Sequence, residues 1–106
     1  MPRLSSTKLN LIRDTIKKLG YVDLRSVRRW FNLTSLRDAE KALRLIARRD
    51  KSIQLVYALT FERPGALTVY RVEEAIEEEL DSVKERLSKE GWILKSVHLI
   101  GAKTLE

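Results

Sequence analysis

The sequence predicts an α+β fold: three helices in the first fifty residues, a β-hairpin, then one further helix and a closing strand. Two observations carry that expectation. The hydrophobic period changes from that of a helix to that of a strand just beyond Asp50, and helix-starting and helix-stopping residues punctuate the chain at short intervals. A third observation says where function should be sought. Residues 1–51 hold 14 Lys/Arg against 5 Asp/Glu, a balance of +9, whereas residues 52–106 hold 7 against 10, a balance of −3.

The elements follow in order. From Ser6 to Leu19, the apolar residues Leu9, Ile12, Ile16 and Leu19 recur at helical spacing, with Lys8, Arg13, Asp14, Lys17 and Lys18 between them. Gly20 is the expected stop. Tyr21-Val22 reads as a short extended piece, and Asp23 is placed to accept backbone N–H bonds at the start of a second helix, Leu24 to Phe31, with Leu24, Val27, Trp30 and Phe31 on its apolar side. Asn32-Leu33-Thr34 reads as a tight turn. Ser35 followed by Asp38 has the spacing of a capping box for a third helix running to about Arg48.

Past Asp50, Ile53, Leu55, Tyr57, Leu59 and Phe61 alternate with Gln54, Val56, Ala58 and Thr60, the pattern of a strand with one buried face. Glu62-Arg63-Pro64-Gly65 is the expected turn, because Pro fixes the first central dihedral and Gly accepts the positive one after it. Ala66 to Arg71 is the expected return strand. Val72, Ile76, Leu80, Val83 and Leu87, spaced by four, four, three and four, suggest a fourth helix with a near-heptad seam, ended by Gly91. Trp92 to Ile100 is apolar and β-branched enough for a last strand, but its apolar residues fall on both faces, as for a strand covered on two sides or paired with a second copy.

Length and composition bound the reading. With 106 residues there is room for one core. No stretch approaches the roughly 18 apolar residues of a membrane span, so no membrane partner is expected. With no Cys there is neither a disulfide framework nor a thiolate metal site, and with no apolar leader the expected location is cytoplasmic. Two Asn, one Gln and one Met set against 34% charged residues is the balance of a heat-adapted, thermophile protein.

The order helix, short strand, helix, turn, helix, hairpin resembles the winged helix-turn-helix family, as found in small archaeal, bacterial or viral transcriptional regulators. The resemblance covers roughly residues 6–71 and rests on Asp23-Leu24-Arg25-Ser26-Val27 entering helix two, Asn32-Leu33-Thr34-Ser35 as the inter-helix turn, and Ala39, Ala42, Leu43 and Ile46 as the inward face of helix three. The sequence departs from the family at Arg49-Asp50-Lys51, where Gly is common, and at the bulky pair Trp30-Phe31. The resemblance implies a winged-helix DNA-binding domain over residues 1–72 and a helix-strand extension over 73–104 in the same compact unit. It also implies a nucleoid-associated regulator of transcription that binds double-stranded DNA.

Helix three offers an independent test. At 100° per residue from Arg37, Lys41 falls at about 40°, Arg44 at about −20° and Arg48 at about 20°, opposite the apolar face. Such a stripe suits a helix lying in the major groove, with recognition residues over about 35–48. Ser35, Arg37 and Lys41, with Thr34 in the preceding turn, are candidates for base contacts, and Arg44 and Arg48 for phosphates. Arg25, Arg28 and Arg29 of helix two are further phosphate candidates, against the alternative of plain solubility. In the hairpin over residues 53–71, Arg63 stands at a Pro-stiffened tip, where the family's wing reaches the minor groove. Tyr57 and Tyr70 are candidates for stacking, although aromatic residues on such strands more often fill the core.

Glu73, Glu74, Glu77, Glu78, Glu79, Asp81 and Glu85 make helix four acidic, so it is expected to face away from DNA. Its seam of Ile76, Leu80, Val83 and Leu87 is the candidate homodimer contact, against the alternative that the helix folds back onto its own domain. No glycine-rich phosphate loop, nucleophile elbow or metal-ligand spacing occurs, and His98, the single His, stands in an apolar strand-like context. The expectation is therefore no enzyme activity and no cofactor. Two rival readings use the same surfaces: a basic module bound to RNA or the ribosome, and a winged helix that contacts protein.

Overall fold

The computed structural model describes residues 4–105. The elements run α1 (Ser6–Leu19), β1 (Tyr21–Asp23), α2 (Leu24–Trp30), α3 (Leu36–Arg49), β2 (Ile53–Glu62), β3 (Tyr70–Ile76), a 3-10 turn (Glu77–Glu79), α4 (Leu80–Lys89) and β4 (Ile93–Thr104). The strand order is β1-β4-β2-β3, with β1–β4 and β2–β3 antiparallel. The fold is α+β. Two compact units divide the chain: one reaches Leu55 and takes in the chain again from Ile100, and the other is Val56–Leu99. No helix among the described residues is long and apolar enough to cross a membrane.

In the first unit each helix starts and stops for a local reason. The Ser5 hydroxyl accepts from the Lys8 N–H at 3.1 Å and opens α1. Gly20, with φ of 84°, closes it by donating its N–H to the Ile16 carbonyl at 2.7 Å. The Asp23 carboxylate accepts from the Ser26 N–H at 3.1 Å and opens α2. Those bonds to Ser26, helped by the Arg29 charge, hold the Asp23 carboxyl below its ordinary range. Asn32 ends α2 in the left-handed conformation at φ of 53°, which lets the Leu33 N–H reach back to the Arg28 carbonyl at 2.9 Å in a Schellman arrangement. Asn is among the few non-glycine residues that adopt this conformation readily. The Ser35 hydroxyl then accepts from the Asp38 N–H at 3.2 Å and opens α3.

These short helices hold together through their buried faces. Leu9, Ile12 and Ile16 of α1, Val27 of α2, and Ala39, Ala42, Leu43 and Ile46 of α3 form the core with Val22, Ile53, Leu55 and Ala102. Helix α3 packs against both α1 and α2. Ala39 and Ala42 are fully buried and lack bulk, which permits close helix approach. Strand β1 pairs with β4 in the register Tyr21↔Lys103, Val22↔Ala102 and Asp23↔Gly101. A Cβ on Gly101 would run into the Val22 carbonyl, so this crossing admits only glycine. The end of α1 is tied to the end of α3 by Lys17 Nζ and Asp50 Oδ2 at 2.8 Å, and Asp50 also accepts from the Ser52 N–H at 3.0 Å and hydroxyl at 2.6 Å.

Two apolar positions of this unit depart from the sequence expectation. Leu19 and Trp30 were expected on buried seams but are 55% and 51% exposed. Each is the last residue of its helix.

The second unit has its own core of Val56, Tyr57, Leu59, Phe61, Ala75, Leu87 and Leu99. The turn forms around Pro64 and Gly65 as expected, with the Ala66 N–H donating to the Arg63 carbonyl at 3.0 Å and Gly65 at φ of 82°. The return strand differs. It does not span Ala66–Arg71; β3 begins at Tyr70, after an irregular stretch, and continues to Ile76. The register Phe61↔Tyr70, Thr60↔Arg71 and Leu59↔Val72 shifts by one residue to Tyr57↔Ala75, so a bulge falls at Glu73-Glu74. Val72 and Ile76 are therefore strand residues, and α4 starts only at Leu80. The helix-forming Glu73-Glu74-Ala75 adopts a strand because β2 is ten residues long and its ladder needs a partner, a tertiary demand that overrides propensity. The Glu79 carboxylate then accepts from the Ile76 N–H at 3.1 Å, marking the passage from strand to helix.

Strand β4 resolves the ambiguity of its two-faced pattern. It is an interior strand, between β1 and β2 in the sheet, and so needs no second copy to pair it.

Gly101→Ala should cost about 1–3 kcal/mol, the range for forcing atoms into a packed site, read as a lower thermal midpoint; an unchanged midpoint would show that the β1–β4 crossing has slack. The bond to Lys17 and those to Ser52 hold the Asp50 carboxyl far below its ordinary range. Its folded-state pKa is depressed, so the stability it adds is present above the unfolded value of about 3.9 and is lost as pH falls below that. Asp50→Asn should lower stability at pH 7 by about 1 kcal/mol and flatten the loss of urea resistance between pH 4 and pH 2. Parallel curves for the two proteins would remove Asp50 from the acid response.

Candidate functional site

Burial of Ala39, Ala42, Leu43 and Ile46 fixes the rotation of α3, and that rotation decides what the helix shows to water. Arg37, Lys41, Arg44 and Arg48 are all exposed. They recur at i, i+4, i+7 and i+11 and so form one stripe along about three turns. Among the described residues the ion pairs Arg13–Asp14, Lys17–Asp50, Lys89–Glu85 and Lys95–Glu62 leave Arg37, Lys41 and Arg48 unengaged, whereas Arg44 has an interaction within its own chain. Acids occur only on the flanks of the stripe, as Asp38 and Glu40, both half-buried. Asp38 lies in the first helical turn and Arg48 and Arg49 in the last, each with the sign the helix dipole favours.

Helix α2 adds exposed Arg25, Arg28 and Arg29. Of these, Arg29 lies close enough to Asp23 to stabilise its charge. Thr34 is exposed in the turn before α3, whereas Ser35 is half-buried with its hydroxyl oxygen occupied as the helix cap. Ser35 thus fixes where α3 begins, and only its hydroxyl proton is left to offer a ligand.

A groove of about 550 Å³ runs beside the stripe. Leu4, Leu33 and Leu45 line it together with Asn32 and Thr34 of the turn, and its charged lining is Lys8, Lys41, Arg44 and Arg48 against the single carboxylate Asp38. Three of the four stripe cations therefore face this concavity, which spacing alone could not reveal. Sequence reading also did not mark Trp30 and Leu36 among the exposed apolar side chains of this unit. Trp30 closes α2 at 51% exposure, and Leu36 is 41% exposed in the first turn of α3. The bulky Trp30-Phe31 pair was a visible signal for the first; nothing in the pattern distinguished Leu36 from its buried neighbours.

In the second unit the predicted residues separate. Arg63 does not project alone from the turn: its guanidinium lies 4.6 Å from the centre of the Trp92 ring and its Nη1 donates to the Glu90 carbonyl at 3.4 Å. Tyr70 packs against the same indole, with ring centres 5.4 Å apart, and stays 42% exposed, while Tyr57 is buried. Gly91 ends α4 at φ of 88°, and this turn brings Trp92 back so that its N–H reaches the Leu87 carbonyl at 3.0 Å. Of the candidate dimer seam, Ile76 belongs to β3 and Leu87 is buried within its own unit, leaving Leu80 and Val83 half-buried on α4. His98 is exposed on β4 and not enclosed by apolar neighbours as its sequence context suggested.

No protein family, curated protein or solved structure matches the chain.

Proposed function

We propose that this chain is a winged-helix protein that binds double-stranded DNA as a nucleoid-associated regulator of transcription, with α3 as its reading helix. One observation carries the reading: α3 turns an unbroken line of cations to water while its opposite face is sealed in the core. Solvated helix faces ordinarily mix signs, because alternating charges support one another along the helix. Arg37, Lys41 and Arg48 have no acid paired with them and repel one another along this line, and an opposing polyanion relieves that cost.

A helix of 14 residues fits the major groove, and its first turns meet base edges. Arg37 and Lys41 are assigned to that role, with Thr34 and the Ser35 hydroxyl beside them. Arg44 and Arg48, farther along, are assigned to phosphates, as are Arg25, Arg28 and Arg29 of α2. Arg63 serves in the hairpin as a wing cation, presented with Trp92 as a preformed pair and not as a free side chain. The role is recognition, and no residue is assigned to catalysis. A single reading helix covers only a few base pairs, so the reading extends to a homodimer on a two-fold site, with Leu80 and Val83 retaining apolar surface for a second copy.

Fluorescence anisotropy against duplex DNA and structured RNA across a salt series tests the first part. Duplex preference is expected, with a log–log salt slope of about −4 as for about five neutralised phosphates. Arg37→Ala with Lys41→Ala should lower duplex affinity by about tenfold or more and flatten that slope. Equal affinity for RNA, or a double variant that binds like the parent, would sink the assignment of α3. For the second part, light scattering of the purified protein should give twice the chain mass, and Leu80→Gln with Val83→Gln should give the single-chain mass. A parent already at single-chain mass on duplex would remove the dimer.

A further inference from the structure

The groove beside α3 has two halves of opposite character. Half-buried Leu4, Leu33 and Leu45 supply its apolar lining, here the floor, and exposed Lys41, Arg44 and Arg48 with half-buried Lys8 supply its cationic lining, here the rim. The charged groups facing it are Lys8 from α1 and Lys41, Arg44 and Arg48 from α3, with Asp38 as the one opposing acid, a balance of three positive charges. A phosphate backbone uses the rim but has no use for the floor. An uncharged apolar molecule uses the floor but leaves the rim idle. The volume of about 550 Å³ lies within the range of small-molecule sites, which are commonly apolar with a few placed polar groups.

We propose that the groove binds a small organic anion with an apolar body, a carboxylate carried on an aromatic or acyl frame, and that its occupation competes with DNA. The body lies on Leu33 and Leu45, and the carboxylate meets Lys8 and Lys41 across the mouth. Asp38 repels a second carboxylate from the turn side, so monoanions are favoured over dianions. The site stands on the groove alone. The competition rests on the reading of α3 as the DNA helix, since Lys41 and Arg48 would then serve both partners.

The experiment is a titration of the full chain with 2-naphthoate, followed by amide chemical shifts, with 2-naphthamide and acetate as comparison probes. The expected result is saturable binding with the largest shifts at Leu33, Lys41 and Leu45, and at least tenfold weaker binding of either comparison probe. Leu45→Gln and Lys8→Gln should each weaken 2-naphthoate at least fivefold, while Lys51→Gln, a charge-matched change outside the groove, should not. Equal binding of 2-naphthamide, shifts centred elsewhere, or unchanged affinity in both groove variants would overturn the site. Two variants are used so that a folding defect in one leaves the other decisive. Duplex DNA is then added to the 2-naphthoate complex, and displacement supports competition. Duplex that binds without displacing the probe overturns the competition. A protein that takes 2-naphthoate but no duplex retains the site and loses the DNA reading, whereas one that takes duplex but no 2-naphthoate loses the site alone.

Discussion

Helix α3 has one face that must be buried, and much of the first unit is arranged around that requirement. Ala39, Ala42, Leu43 and Ile46 lie at 0–3% exposure against α1 and α2. Burying a side chain the size of Leu43 or Ile46 contributes about 1.5–3 kcal/mol, far more than any single contact on the helix's outer side. This packing fixes the axial rotation of α3, and the Ser35 cap fixes where it starts. Once rotation and start are set, the outward positions have no freedom. Whatever residues occupy 37, 41, 44 and 48 must stand in one line facing water, and here all four are cations.

The legibility of the sequence follows the range of the forces involved. Caps and stops act within four residues, so Ser35, Asp23 and Gly20 could be read directly, and so could the Asn32 turn. The seam of α1 was legible for Leu9, Ile12 and Ile16 but not for Leu19, because whether a helix outlasts its packing partner depends on where that partner ends. The least legible region was Val72–Ile76. Locally its residues favour a helix, and only the unsatisfied ladder of β2, paired at Leu59↔Val72 and Tyr57↔Ala75, draws them into a strand. Those pairs cross separations of 13 and 18 residues and leave no local mark. Of the candidate site, the cation stripe could be read because periodicity alone creates it. The groove could not, since it depends on Leu4 and Lys8 of one segment meeting Leu45 of another.

Arg63 illustrates the limit of reading charge without context. As a turn residue it looked like a lone exposed cation. Its stem instead passes 3.4 Å from where a Cβ of Gly91 would lie, and its head rests on Trp92. Glycine at 91 permits the left-handed turn that ends α4, and the arginine stem passes within ordinary contact distance of it to cover the next residue. The cation keeps its charge but loses rotamer freedom, so any anion meeting it encounters a donor with less ordering entropy left to lose.

A division of labour between faces gives α3 a property useful beyond its proposed role. Exposed cations without partners contribute little to folding, since even paired surface charges add at most about 1 kcal/mol and isolated ones less. Their mutual repulsion opposes the folded state slightly, so neutralising one should leave stability unchanged or raise it. Substitution of Leu43, by contrast, opens a cavity costing about 2–5 kcal/mol. Effects on binding and on stability are thus expected to separate cleanly by helix face: a stripe variant that loses affinity does so as a folded protein. Arg44, whose interactions within its own chain are not confined to solvent, is the one stripe position where the two effects mix, which makes Arg37, Lys41 and Arg48 the informative positions for assigning a partner to this helix.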